Sequence, residues 1–130
     1  YGGFTTFGNS EPCIIKTNGI CIKEFPMNVY KTYNKSIVFS GGGFFRFFPY
    51  FLIKKWTKES NYVMTYFHPR DFDKNQPILH HLPMVRKFKS YYGLKGSGIK
   101  FKNYISDFDT TSILKLSKEF DWSSAKKYII

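Results

Sequence analysis

Tyr62-Val63-Met64-Thr65-Tyr66-Phe67-His68-Pro69 is the stretch whose reading decides the fold class. As far as Phe67 it is β-branched and aromatic and carries no charge, the pattern of a strand buried on both faces of an α/β sheet. Pro69 cannot donate to a ladder, so His68 sits where that strand opens into a loop. In α/β folds this edge is where sites are built. The loop that follows is dense in charge, with Arg70-Asp71-Phe72-Asp73-Lys74 ahead of Pro77.

Upstream lies Ser40-Gly41-Gly42-Gly43-Phe44-Phe45-Arg46, entered from a brief extended piece, Ser36-Ile37-Val38-Phe39. Three adjacent glycines allow positive φ and let a ligand or another backbone come close. From Phe44 to about Lys58, apolar residues at Phe44, Phe47, Phe48, Phe51, Leu52 and Trp56 recur at helical spacing, with Lys54, Lys55 and Lys58 mostly opposite. Pro49 implies a helix that begins near Phe48 or one that kinks there. Further upstream, Ile14-Ile15-Lys16 and Ile20 to Phe25 read as two strands around an Asn18-Gly19 turn, ended by Pro26. Tyr1 to Pro12 reads as an irregular loop. Downstream, Val85, Phe88, Tyr91 and Tyr92 mark a helix stopped at Gly93, and Ile99, Phe101, Tyr104 and Ile105 mark another after Ser97-Gly98. Thr110-Thr111-Ser112 offers an N-cap for a last helix with Ile113, Leu114 and Leu116.

Composition narrows the class. With 130 residues, 42% of them apolar and 21% aromatic, the chain has ample core material and is one small domain or part of a larger one. The net charge of +11 comes mainly from scattered lysines, with arginine only at Arg46, Arg70 and Arg86. Lys54-Lys55, Arg86 to Lys89 and Lys100 to Lys102 lie on separate predicted elements, so the charge reads as a solvated surface and no nucleic-acid partner is expected. The longest apolar run, Ile37 to Ile53, contains Arg46, Pro49 and three glycines and does not suit a membrane span. Cys13 and Cys21 flank the hairpin turn and either pair as a disulfide or stay reduced and packed. They offer no zinc spacing. The start, Tyr1-Gly2-Gly3-Phe4, lacks the basic and apolar regions of a signal peptide, and the missing initiator methionine suggests that the chain continues upstream.

The ordered combination of Glu24-Phe25-Pro26, Ser40 to Arg46 with Pro49-Tyr50, Tyr66 to Pro69 with Asp71, Asp73 and Gln76-Pro77, and Lys87-Phe88-Lys89-Ser90-Tyr91 with Leu94 carries a resemblance. The chain resembles the C-terminal part of NodB-homology polysaccharide deacetylases, in the branch with an extra C-terminal region found in bacterial exopolysaccharide gene clusters. The resemblance spans roughly residues 24 to 116. It implies an α/β fold, the C-terminal portion of a deformed (β/α) barrel of the glycoside hydrolase/deacetylase type with extra C-terminal helices. Residues 1–78 would give the barrel strands and helix, and 79–130 a helical extension. It also implies removal of acetyl groups from N-acetylated sugars with a divalent metal, usually zinc, in the cytoplasm or cell envelope of a bacterium. The metal-ligand motifs are not in this sequence, which has no Asp-Asp pair behind an apolar strand and no His-x-x-x-His. The chain alone is therefore expected to hold no metal and to be inactive. Its partners would be the missing N-terminal part of the barrel and a carbohydrate polymer.

What carries over residue by residue is His68, which matches the histidine of the family's last motif, a general acid toward the leaving amine. Without the resemblance, it reads first as a strand-end histidine bonded to a backbone carbonyl. Arg46, Asp71, Gly42, Gly43 and Tyr66 complete the expected substrate-binding set. Asp71 either orients His68, accepts from a sugar hydroxyl, caps a helix or pairs with Arg70. Arg46 either clamps a carboxylate or hydroxyl or bridges to Glu24. Arg70 departs from the family, which commonly has tryptophan there. The glycine triplet lacks the lysine and serine or threonine of a P-loop. His80-His81 reads as a solvated pair. A non-catalytic carbohydrate-binding or accessory module is the rival reading, with tyrosines and phenylalanines as stacking faces.

Overall fold

A computed structural model describes residues 10–33 and 36–130. The irregular loop expected from Tyr1 lies outside the described residues as far as position 9, and residues 10–12 carry no regular structure. The described residues form a mixed α/β structure with five α-helices and two small sheets, and no barrel closes among them.

β1 (Cys13–Thr17) and β2 (Ile20–Glu24) make the expected hairpin, with Thr17 opposite Ile20. Asn18 at φ 46° and Gly19 at φ 80° form its turn, the left-handed pair that suits the twist of two-residue hairpins. The register sets Cys13 opposite Glu24 and Cys21 opposite Lys16. Three residues of ladder thus separate the two cysteines, about 10 Å between their Cα positions, too far for a disulfide. Neither forms a disulfide, and Cys13 is buried while Cys21 is exposed.

β5 (Lys126–Ile129) adds parallel to β1, giving the order β2-β1-β5. Strands from either side of the expected division at residue 78 thus share one sheet. β3 (Tyr30–Lys31) and β4 (Ser36–Ile37) form the second, two-stranded sheet.

α1 (Gly42–Phe47) ends where Pro49 enters, and α2 (Tyr50–Lys58) begins directly after it. The periodic run is therefore two helices, because Pro49 at φ −56° starts a helix readily and cannot continue one. α2 buries Ile53 and Trp56, one turn apart, against Phe39, Phe45 and Tyr104 in the core. Phe45 meets Phe67 and Tyr104 edge to face, with ring centroids 5.0 and 5.7 Å apart. Such pairs each contribute about 1 kcal/mol beyond their buried area.

Tyr62 to Phe67 departs from expectation. It is extended, but among the described residues its pairing is a single parallel bridge between Gly41 and Tyr66. Side chains substitute for a ladder: Asn28 Oδ1 accepts from the Met64 amide at 3.2 Å, and the Tyr62 hydroxyl donates to the Pro26 carbonyl at 3.1 Å. Val63 and Phe67 pack on the core, while Tyr66 is 57% exposed. The apolar run records that packing rather than burial on both faces.

α3 (Met84–Tyr91) stops before Gly93, which takes φ 75° as expected. α4 (Leu94–Asp107) starts at once, so Ser97 and Gly98 lie inside it rather than ahead of it. Leu94, Ser97, Phe101 and Tyr104 form its inward stripe, and the Ser97 hydroxyl donates to the Leu94 carbonyl, which lets a serine be buried there. α5 (Ile113–Glu119) is capped by Ser112, whose oxygen accepts from the Lys115 amide. No helix among the described residues is long and apolar enough to cross a membrane.

Candidate functional site

The bridge between Gly41 and Tyr66 brings the two sequence motifs together. Gly41 is extended, so its φ demands nothing, but an ideal Cβ there would lie 2.5 Å from the Tyr66 carbonyl oxygen. Only glycine lets the two backbones meet so closely. The next amide, that of Gly42, then donates to the same Tyr66 carbonyl at 3.0 Å. Gly42 itself has φ 49° and turns the chain into α1, facing the Asp71 carboxylate, with an ideal Cβ 3.7 Å from Oδ2.

Two residues beyond Tyr66, His68 opens a 3-10 turn, Pro69–Asp71. The Asp71 side chain folds back on it, and Oδ2 accepts from the His68 amide at 2.9 Å. The Asp71 amide donates in turn to the His68 carbonyl, also at 2.9 Å. This reciprocal pair fixes the backbone of the histidine and leaves its ring exposed. The imidazole stands edge-on to the Tyr66 ring, centroids 4.8 Å apart.

Arg46 lies beneath this turn. Its Nη2 is 3.4 Å from Asp71 Oδ1, and both side chains are nearly buried, at 6% and 7% exposure. Nη1 donates to the Ser90 carbonyl at 2.9 Å and Nη2 to the Lys89 carbonyl at 3.0 Å, while Nε is buried with no partner among the described residues. Burial pushes the Arg46 guanidinium below its ordinary value, the Asp71 charge opposes that, and nearby Arg70 adds to it. Arg46 thus pairs with Asp71, whereas Glu24 receives a contact from the Cys13 thiol. Asp71 in turn pairs with Arg46 rather than Arg70, which reaches toward Gln76. Exposed Gly43 lies over the guanidinium, its ideal Cβ 3.6 Å from Nη2.

All six residues singled out from the sequence, His68, Arg46, Asp71, Gly42, Gly43 and Tyr66, therefore meet at one place. Sequence reasoning missed the supports behind them. Lys100, from a patch read as solvated, donates to the carbonyls of Phe45, Arg46 and Phe48 at 3.0, 3.0 and 2.7 Å. It satisfies the open C-terminal end of α1, where a cation is favoured. Burial pushes its ammonium below the usual lysine value. Gly93 is the second support, since an ideal Cβ there would lie 2.8 Å from the Arg46 carbonyl oxygen. The helix stop at Gly93 was the one available signal for it.

Among the described residues no three histidine, cysteine, aspartate or glutamate side chains gather as a metal site. An exposed imidazole can accept or give a proton.

No curated protein matches this chain, and no solved structure does. One family model, described as a domain of unknown function (DUF3473), matches residues 2–129, and the chain belongs to that family.

Proposed function

We propose that this DUF3473 chain is the C-terminal segment of a metal-dependent polysaccharide N-deacetylase, forming the last part of a deformed (β/α) barrel and supplying His68 as the proton donor. The observation that carries this reading is the His68 turn, an exposed imidazole on a backbone held at both its amide and its carbonyl by Asp71. Hydrolysis of an N-acetyl amide expels an amine, which must be protonated as the C–N bond breaks. An imidazole placed there can give that proton, a contribution typically worth a factor of about 10² to 10⁴. Tyr66 would lie along the sugar or its acetyl group, and Gly42 and Gly43 would leave room for it. The metal-ligand motifs of the resembled family do not occur in this sequence, and the reading gives this chain the proton step. The remaining machinery would come from the N-terminal part of the barrel.

The test is to read the coding DNA upstream of Tyr1 and to assay the protein as naturally encoded on an N-acetylglucosamine oligomer. An upstream Asp-Asp pair with a His-x-x-x-His, and a His68→Gln variant that folds but loses about 10²-fold or more in kcat, are the expected results. Hydrolysis unchanged in His68→Gln ends the catalytic reading.

The aromatic face of α3 favours a second reading, an accessory carbohydrate-binding module. Phe88 and Tyr92 lie 4.6 Å apart, with Phe47 at 6.2 and 5.8 Å from them, and all three are about half exposed. Oligosaccharide binding that is lost in Phe88→Ala yet untouched in His68→Gln would select it.

A further inference from the structure

We propose that Arg46 is the positioning residue for His68, acting through Asp71 rather than by contact with substrate. The inference rests on the reading of His68 as proton donor for its functional meaning, but its geometry stands without it. Arg46 is nine-tenths buried, and its two Nη atoms are engaged by the Lys89 and Ser90 carbonyls and the Asp71 carboxylate. An exposed clamp for a ligand would present that fork to solvent instead. The fork leaves Asp71 Oδ1 beside the cation and Oδ2 on the His68 amide. One carboxylate thus transmits the placement of Arg46 to the backbone of the histidine two residues beyond Tyr66.

Arg46 is itself fixed from behind. Lys100 holds its carbonyl, and Gly93 packs against it at a distance no side chain allows. The end of α3 and the His68 turn thus meet at the guanidinium, while Lys100 of α4 and Gly93 ahead of it hold the backbone of the same residue. Neutralising one partner of such a pair leaves the other charge buried and unpaired, which releases the turn rather than only weakening it.

Two readouts separate this role from the alternatives. In the naturally encoded protein, amide exchange at His68 should quicken about tenfold in Arg46→Lys, which keeps the charge and loses the fork. Asp71→Asn should do the same, and the double variant should be no worse than either single one. Near-ultraviolet dichroism from Trp56 reports that the core has stayed folded. Exchange at His68 that quickens in Asp71→Asn but is native in Arg46→Lys overturns the proposal, because Asp71 then holds the turn unaided. In the deacetylation assay Arg46→Lys should lower kcat with KM unchanged, and a raised KM at constant kcat would make Arg46 a substrate clamp and overturn it as well. Failure of the proton-donor reading shows elsewhere, as activity retained in His68→Gln, and leaves the exchange result standing.

Discussion

The Tyr66 carbonyl oxygen occupies the place a side chain at Gly41 would need, 2.5 Å from an ideal Cβ. This close approach seats the extended segment ahead of His68 against the start of α1 and lets the Gly42 amide bond to the same oxygen. Gly41→Ala should therefore force the two backbones apart and lower stability by about 2 kcal/mol, the usual cost of overpacking. The loss reaches the site, since Tyr66 and His68 share that backbone. Denaturant unfolding gives the stability change. A variant as stable as the native chain would mean that the bridge contributes nothing.

How much of this was legible in the sequence depends on the range of each contact. The hairpin, the break at Pro49, the stop at Gly93 and the Ser112 cap are local devices, each set by one or two residues, and each stands where the pattern places it. The six residues expected at the site rest on the family resemblance and on two local signals, the glycine run and the His-Pro step, and their meeting needs the Gly41 to Tyr66 bridge. Lys100 shows the opposite case. A lysine in a basic run reads as solvated, and only the docking of α4 on α1 turns it inward onto three carbonyls. The β1 and β5 pairing joins residues at the two ends of the described chain, and no local pattern announces it. Tyr62 to Phe67 was misjudged for a related reason. An uncharged β-branched and aromatic run reports that side chains are covered, and aromatic packing covers them here as well as flanking strands would.

Burial pushes the Tyr62 hydroxyl up to about 12 from its ordinary 10.0. Tyr104 is raised by burial too, partly offset by its bond with Thr57. A tyrosine raised in the folded state contributes stability that is whole below the unfolded value, near 10, and is lost as pH rises through the folded value. In that window the unfolded chain has already released a proton that the folded chain retains. The melting temperature should accordingly fall as pH climbs from 10 toward 12, and Tyr62→Phe should flatten part of that fall. Calorimetry across the window checks it, and an identical slope in the variant would remove Tyr62 as a cause.

α3 buries none of its residues, although Met84, Val85 and Phe88 are apolar and 81, 66 and 50% exposed. Phe47 and Tyr92 extend that face across the end of α1. A contiguous apolar patch of this kind is rare on a chain that stays alone in water. The isolated 130-residue chain should therefore self-associate at tens of micromolar, and the paired change Val85→Glu with Phe88→Glu should return it to the monomer. Because neither side chain is part of the buried core around Phe45 and Trp56, the paired change should alter stability by less than about 1 kcal/mol. Sedimentation velocity reads the first effect and denaturant unfolding the second. Association that persists in the double variant would shift attention to β2 and β5, the outer strands of the sheet among the described residues, which carry exposed Ile22 and Ile129.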